Sequence, residues 1–173
     1  MKILSICGSR NPKGQTARAA EAVLEGAAKA GAEAERVFLP TLALERCRQC
    51  DDSGWGLCRR EGRCVIGDDL GGVVERLRQA DAVVVSTPVY YSDLSEGLRA
   101  FTDRLRRTCT HEAGRASIKG KPALGVCVAG GGGGGACPSA FARASRRLTR
   151  VGRSCSRSRT ARRVAASTTS PGL

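Results

Sequence analysis

Aromatic residues are scarce, with one Trp, two Tyr and three Phe among 173 residues. A core short of rings has to be built from Val, Leu, Ala and Ile, which favours apolar strands and Ala-rich helices. No run of about 18 apolar residues occurs, so no membrane-spanning helix is expected, and the apolar start Ile3 to Cys7 is too brief for a signal-peptide core. The expected location is cytoplasmic, with no membrane partner. Nine cysteines in that setting argue against a disulfide framework and for reduced thiols, some buried and some available to a metal.

Acidic residues are missing from one end. The last is Glu112, and residues 136–173 hold nine Arg and no Lys, Asp or Glu. The formal charge of +13 is therefore concentrated there, and residues 1–135 carry only +4. Such a tail would bind any polyanion weakly and in a salt-dependent way. With Phe141 as its one aromatic and no nucleic-acid motif, it disfavours a nucleic-acid partner. The composition changes at six consecutive glycines, Gly130 to Gly135. Residues 136–173 read as an unstructured or out-of-frame tail, in which Val164 to Ala166 is the best remnant of a strand.

The length suits one domain. Lys2 to Cys7, Glu35 to Leu39, Ala82 to Ser86 and Lys121 to Ala129 read as strands. Thr16 to Lys29 has helical composition. Asp68 to Gln79 sets Leu70, Val73, Val74 and Leu77 on one helical face, and a helix from Ser95 does the same with Leu98, Phe101, Thr102 and Leu105. Asp68 and Asp69 stand where carboxylates favour a helix dipole. Alternation of apolar strands with amphipathic helices implies an α/β fold, a parallel sheet covered on both faces. Ligands in such sheets bind outside the carboxyl ends of the strands.

Cys7 to Thr16 joins the first strand to the first helix through Gly, hydroxyl, amide and basic residues. It offers backbone N–H groups, a positive helix end, the Ser9 and Thr16 hydroxyls and the charge of Arg10 or Lys13 to a phosphate. It is not a Walker A loop, since the Gly-Lys-Ser/Thr ending is missing. Thr87 to Tyr91, ThrProValTyrTyr, is expected as a Pro-stiffened loop after the strongest strand, where two Tyr can hold a flat ring system. Cys7 and Cys127 fall in strands as buried apolar residues. His111, the single histidine, reads as a solvated loop residue without a base or metal beside it.

GlySer at 8–9, GlyGlnThr at 14–16, CysValIleGlyAspAsp at 64–69, ThrProValTyrTyr at 87–91 and AlaPheThrAspArg at 100–104 resemble the NADPH-dependent FMN reductase and flavodoxin-like oxidoreductase family. The resemblance covers about residues 1–135. It implies a flavodoxin-like three-layer sandwich with sheet order 2-1-3-4(-5), the fifth strand missing or degenerate here. It also implies FMN as cofactor, with Ser9, Arg10, Gln15 and Thr16 on the phosphate. Pro88, Val89, Tyr90 and Tyr91 would border the isoalloxazine, and Gly130, Gly131, Gly132 and Gly133 would approach the ring. The implied activity takes hydride from NAD(P)H and passes electrons to a quinone, flavin or similar acceptor, or to a redox protein. A homodimer or homotetramer is implied as well. An FMN electron carrier without a substrate site of its own is the competing reading, and no general acid or base is assigned.

Cys47, Cys50, Cys58 and Cys64 lie within a Cys-rich insertion, residues 46–66, interleaved with arginines. Four thiolates so placed suit tetrahedral zinc or an iron-sulfur cluster, and unmetallated thiols remain open. The iron-sulfur flavoprotein branch of the family has a compact cysteine motif at the corresponding place, with shorter spacers before its third and fourth cysteines. Whether Trp55 packs over this site is open.

Overall fold

The structure is a computed structural model, and it describes residues 1–130. Its strands are Lys2–Cys7 (β1), Glu33–Phe38 (β2), Ala82–Tyr90 (β3), Asp93–Leu94 (β4) and Ala123–Val128 (β5). Its helices are Gln15–Lys29 (α1), Leu57–Arg60 (α2), Leu70–Gln79 (α3), Glu96–Thr108 (α4) and Glu112–Arg115 (α5). β1 pairs in parallel with β2 on one side and β3 on the other, and β3 pairs in parallel with β5. The order β2-β1-β3-β5 is the expected 2-1-3-4 arrangement, since β4 is only a short antiparallel return against the end of β3.

Strand side chains alternate between two helical layers. On one face Leu4, Ile6, Val37, Val83 and Val85 meet Leu70, Val73 and Leu77 of α3 and Leu98, Phe101 and Leu105 of α4. On the other, Ile3 and Val84 meet Leu24 of α1, with half-buried Val23, Ala27 and Val126 around them. Each of the buried Leu and Val side chains contributes roughly 1.5–3 kcal/mol of transfer free energy. The flavodoxin-like three-layer sandwich follows from this two-sided burial.

α1 stops at Gly31, whose φ of +82° allows the reversal. Ala32 N–H then donates to Ala27 O at 3.1 Å and Gly31 N–H to Ala28 O at 2.9 Å, closing the helix end.

Several sequence expectations change. β3 does not end before Thr87 but runs to Tyr90, because β4 supplies antiparallel partners for Val89 and Tyr90 while β5 pairs Thr87 and Pro88. Pro88, Val89 and Tyr90 are therefore strand residues, and the turn is confined to Tyr91 and Ser92, with φ of 48° and 63°. Asp68 and Asp69 do not simply face the dipole of α3. Asp69 Oδ2 accepts from Ala43 N at 2.7 Å and Asp68 Oδ2 from Glu45 N at 2.9 Å, fastening the segment after β2 to the start of α3. His111 is half-buried, and its Nδ1 accepts from Ala113 N at 3.2 Å as the cap of α5.

Cys7 is buried as expected, whereas Cys127 is only half-buried. No helix among the described residues is long and apolar enough to cross a membrane. The tail from 136 onward, and with it Val164 to Ala166, lies outside the described residues.

Candidate functional site

The loop between β1 and α1 is held from below. Gly8 N donates to Ser86 O at 2.8 Å, bringing the end of β1 against β3. Asn11 shapes the turn, with its backbone oxygen accepting from Gly14 N at 3.1 Å and its Oδ1 from Lys13 N at 2.9 Å. Ser9 Oγ accepts from Asn11 N at 3.3 Å. Ser9 and Thr16 are buried, while Arg10 and Gln15 are exposed above them. α1 follows Gly14, so its first turn has no side-chain cap and no acidic residue. An open helix end with no carboxylate to oppose an anion is suited to a phosphate.

Beside this loop lies a cleft of about 820 Å³ at the carboxyl ends of the strands. Gly8 and Arg10 form one wall, Leu39 to Leu42 the side after β2, and Tyr90 with Ser95 to Gly97 the side toward α4. Ser95 is 5% exposed, yet its Oγ has no hydrogen-bond partner, and the same holds for the Ser86 hydroxyl. Ser95 is the cap position of α4 but makes no side-chain cap bond. Its hydroxyl is therefore an unsatisfied buried polar group at the wall of the cleft. Glu96 is bonded to Arg46 and lies 3.8 Å from Arg10. These exposed pairs order the rim and contribute little stability.

Cys47, Cys50, Cys58 and Cys64 all line a second, small pocket. It measures about 20 Å³, with Cys50 exposed and the other three thiols half-buried. Burial pushes the Cys58 thiol upward, with Cys47 and Cys64 near enough to add to the shift. Among the described residues no three His, Cys, Asp or Glu are arranged as a formed metal site. Four sulfurs, the donor type a thiophilic metal takes, nonetheless line one pocket walled by Arg104 and Arg107. Trp55 packs there too, with the Arg107 guanidinium 5.0 Å and that of Arg59 5.5 Å from its ring centre. Arg46, Cys47, Tyr90 and Arg107 also line an open groove that joins the cleft to the cysteine pocket.

The sequence pattern of the NADPH-dependent FMN reductase family matches residues 1–145. The chain belongs to that family. Its relatives include an iron-sulfur flavoprotein of Methanocaldococcus jannaschii, 30% identical over 131 residues, covering 76% of this chain and 65% of the relative. An iron-sulfur flavoprotein of Methanosarcina thermophila is 35% identical over 104 residues, covering 60% and 52%. The chain thus spans between about half and two thirds of the length of these relatives. Among solved structures, NAD(P)H:quinone oxidoreductase from Methanothermobacter marburgensis shares the fold with a TM-score of 0.52 and 18% identity, covering 91% of this chain and 99% of that one. The Trp repressor binding protein from Bacillus subtilis does so with a TM-score of 0.59 and 19% identity, covering 84% and 74%.

In this member of the FMN reductase family the structure brings Arg10 and Tyr90 to the same cleft, with Gln15 and Thr16 in the first turn of α1 and Ser9 in the loop before it. Pro88 is buried and Val89 half-buried in β3. Tyr91 is fully exposed on the turn and lies outside the cleft lining. Gly130 is exposed just past β5, and Gly131, Gly132 and Gly133 lie outside the described residues. Ser86 and Ser95 carry no signal of a site in the sequence, and Arg104 closes the family-like stretch 100–104 without a role assigned to it there. A Ser before a helix signals only a cap, and an Arg on an amphipathic helix signals only a solvated face.

Proposed function

We propose that this chain binds FMN with its phosphate on the β1–α1 loop, accepts hydride from NADH or NADPH, and passes electrons to a quinone, a flavin or a redox protein. The observation that carries this reading is the β1–α1 loop, which leads from buried Ser9 to an uncapped helix start with buried Thr16 and no acid in its first turn, and whose Gly8 and Arg10 line a cleft of about 820 Å³. Backbone N–H groups of the first turn and the two hydroxyls would bind the phosphate, and Arg10 would add charge at the rim. Tyr90 would flank the ring, and the unpartnered Ser95 hydroxyl would orient a carbonyl or ring nitrogen. FMN supplies the hydride and single-electron chemistry, and the protein supplies position and electrostatics.

Residues 1–135 would form the flavin domain, with 46–66 as an inserted redox module and 136–173 outside it. Cys47, Cys50, Cys58 and Cys64 would hold an iron-sulfur cluster, for which the 46–66 loop has to open beyond its small pocket. The shared pocket, the groove joining it to the cleft and the names of the relatives support this reading over unmetallated thiols. A homodimer or homotetramer would add walls to the open cleft.

The test is anaerobic purification, mixing with FMN and gel filtration. A retained flavin absorption band supports the loop assignment, and loss of the flavin on the column counts against it. Iron and sulfide in the same fraction support the cluster, whereas zinc without sulfide replaces it. Turnover of NAD(P)H with a quinone or ferricyanide separates the enzyme from a bare electron carrier, which shows none.

A further inference from the structure

Arg104 is an unusual arginine, with its side chain 1% exposed in the middle of α4. Its guanidinium reaches the segments at both ends of the insertion. Nη1 donates to Glu45 O at 3.0 Å before it and to Asp68 just after it. Nη2 donates to Asp68 Oδ1 at 2.9 Å and to Cys64 Sγ at 3.1 Å. One nitrogen therefore links a core carboxylate to the sulfur of the fourth cysteine. Arg107 lies one turn later on the same helix face. It has a different task, donating to Gly54 O at 2.6 Å and covering Trp55, with no hydrogen bond to sulfur.

We propose that Arg104 is the positioning residue of the four-cysteine site, holding Cys64 Sγ toward the pocket through a hydrogen bond fixed by Asp68. This rests on the reading that Cys47, Cys50, Cys58 and Cys64 bind a metal. The geometry explains why a helix that also frames the flavin cleft carries a buried cation. A thiolate ligand needs its charge offset and its direction set, and a guanidinium clamped on a buried carboxylate does both without rotamer freedom. Loss of a group that orients a ligand typically costs about 10–100-fold in metal affinity. The arrangement also ties the insertion to the layer over the sheet, since Asp68 lies two residues before the first residue of α3 and Arg104 is among the buried residues of α4.

The probe is cobalt(II), titrated anaerobically into the reduced, metal-free full chain, with absorption recording the thiolate-to-cobalt charge-transfer band. Arg104→Lys keeps a charge for Asp68 without the fork, and the double variant Asp68→Asn with Arg104→Gln removes both buried charges. Arg107→Lys is the control for a loosened insertion, and circular dichroism checks that each variant is folded. The expected result is affinity lowered by about 10–100-fold in the double variant, less in Arg104→Lys, with the band displaced in both and unmoved in Arg107→Lys. A wild-type chain that shows no charge-transfer band overturns the four-cysteine reading and this inference with it. A normal wild-type band with the same affinity and position in the folded Arg104 variants leaves the metal reading standing and overturns the role of Arg104. Equal weakening in the Arg104 and Arg107 variants without band displacement also overturns it, by reducing Arg104 to a structural tie.

Discussion

Arg104 and Asp68 meet as a buried, two-pronged ion pair, their side chains 1% and 5% exposed. Burial alone would push the Asp68 carboxyl up. The hydrogen bonds from Arg104 and from the backbone N–H groups of Glu45 and Leu70 outweigh it and hold the carboxyl below the usual range. The pair joins α4, the start of α3 and the segment after β2 at one point, so its loss is felt by the fold and by the cysteine pocket together.

Removing one partner leaves an uncompensated buried charge. Arg104→Met is expected to destabilise the chain by about 3–5 kcal/mol, read from urea unfolding. The double variant Asp68→Asn with Arg104→Gln is expected to recover most of that loss. Equal destabilisation of single and double variants would show that the ion pair is not the cause.

Acid should unfasten the same point. Because the folded-state carboxyl titrates below the unfolded value of about 3.9, the contribution of Asp68 is complete above that pH and is lost as pH falls through the lower folded value. Thermal midpoints measured from pH 6 down to pH 2 should drop more steeply for the wild type than for Asp68→Asn. Parallel curves would contradict this.

A side chain at Gly8 has no room. Its Cβ would fall 2.3 Å from Ser95 Oγ and 3.0 Å from Leu98 Cβ. Gly8→Ala is expected to cost about 1–3 kcal/mol from overpacking. Adding Ser95→Gly should restore part of it, since only the closer contact is relieved. Calorimetry on the two variants decides.

Phosphate recognition separates FMN from riboflavin. Ser9→Ala and Thr16→Val should each weaken FMN binding by roughly tenfold, the scale of one hydrogen bond to a charged group, and leave riboflavin binding unchanged. Fluorescence titration with both flavins is the measurement, and an equal effect on the two would move the phosphate away from this loop.

Trp55 is the single tryptophan and sits in the cysteine pocket with the Arg59 and Arg107 guanidinium groups over its ring. Its fluorescence should change when cobalt(II) fills the pocket. Arg107→Gln should shift the emission to the red as the ring loses its cover, while an unchanged spectrum in both cases would place the ring elsewhere.

The parallel sheet was legible because Ile3 to Cys7 and Ala82 to Ser86 are apolar runs that only a doubly covered strand can bury, and α3 and α4 announce their faces by spacing. The β1–α1 loop was legible for a similar reason, since Gly, Ser and Thr between a strand and a helix leave an open helix end. β4 was not, because two residues carry no periodicity and the Tyr91–Ser92 turn lacks the Gly or Asn that marks such turns.

The amino-acid sequence by itself determined a parallel sheet covered on both faces and the four cysteines within one insertion, because these follow from local hydrophobic pattern and chain connectivity, while the strand order was what the family resemblance implied. Only the tertiary structure decided that Tyr90 lines the cleft while Tyr91 does not, that the buried Ser95 hydroxyl has no hydrogen-bond partner, and that Arg104 lies in the core against Asp68 and Cys64. Those outcomes depend on groups 36 and 40 residues apart meeting in space. The burial of a charge is set by such partners, which no local pattern encodes.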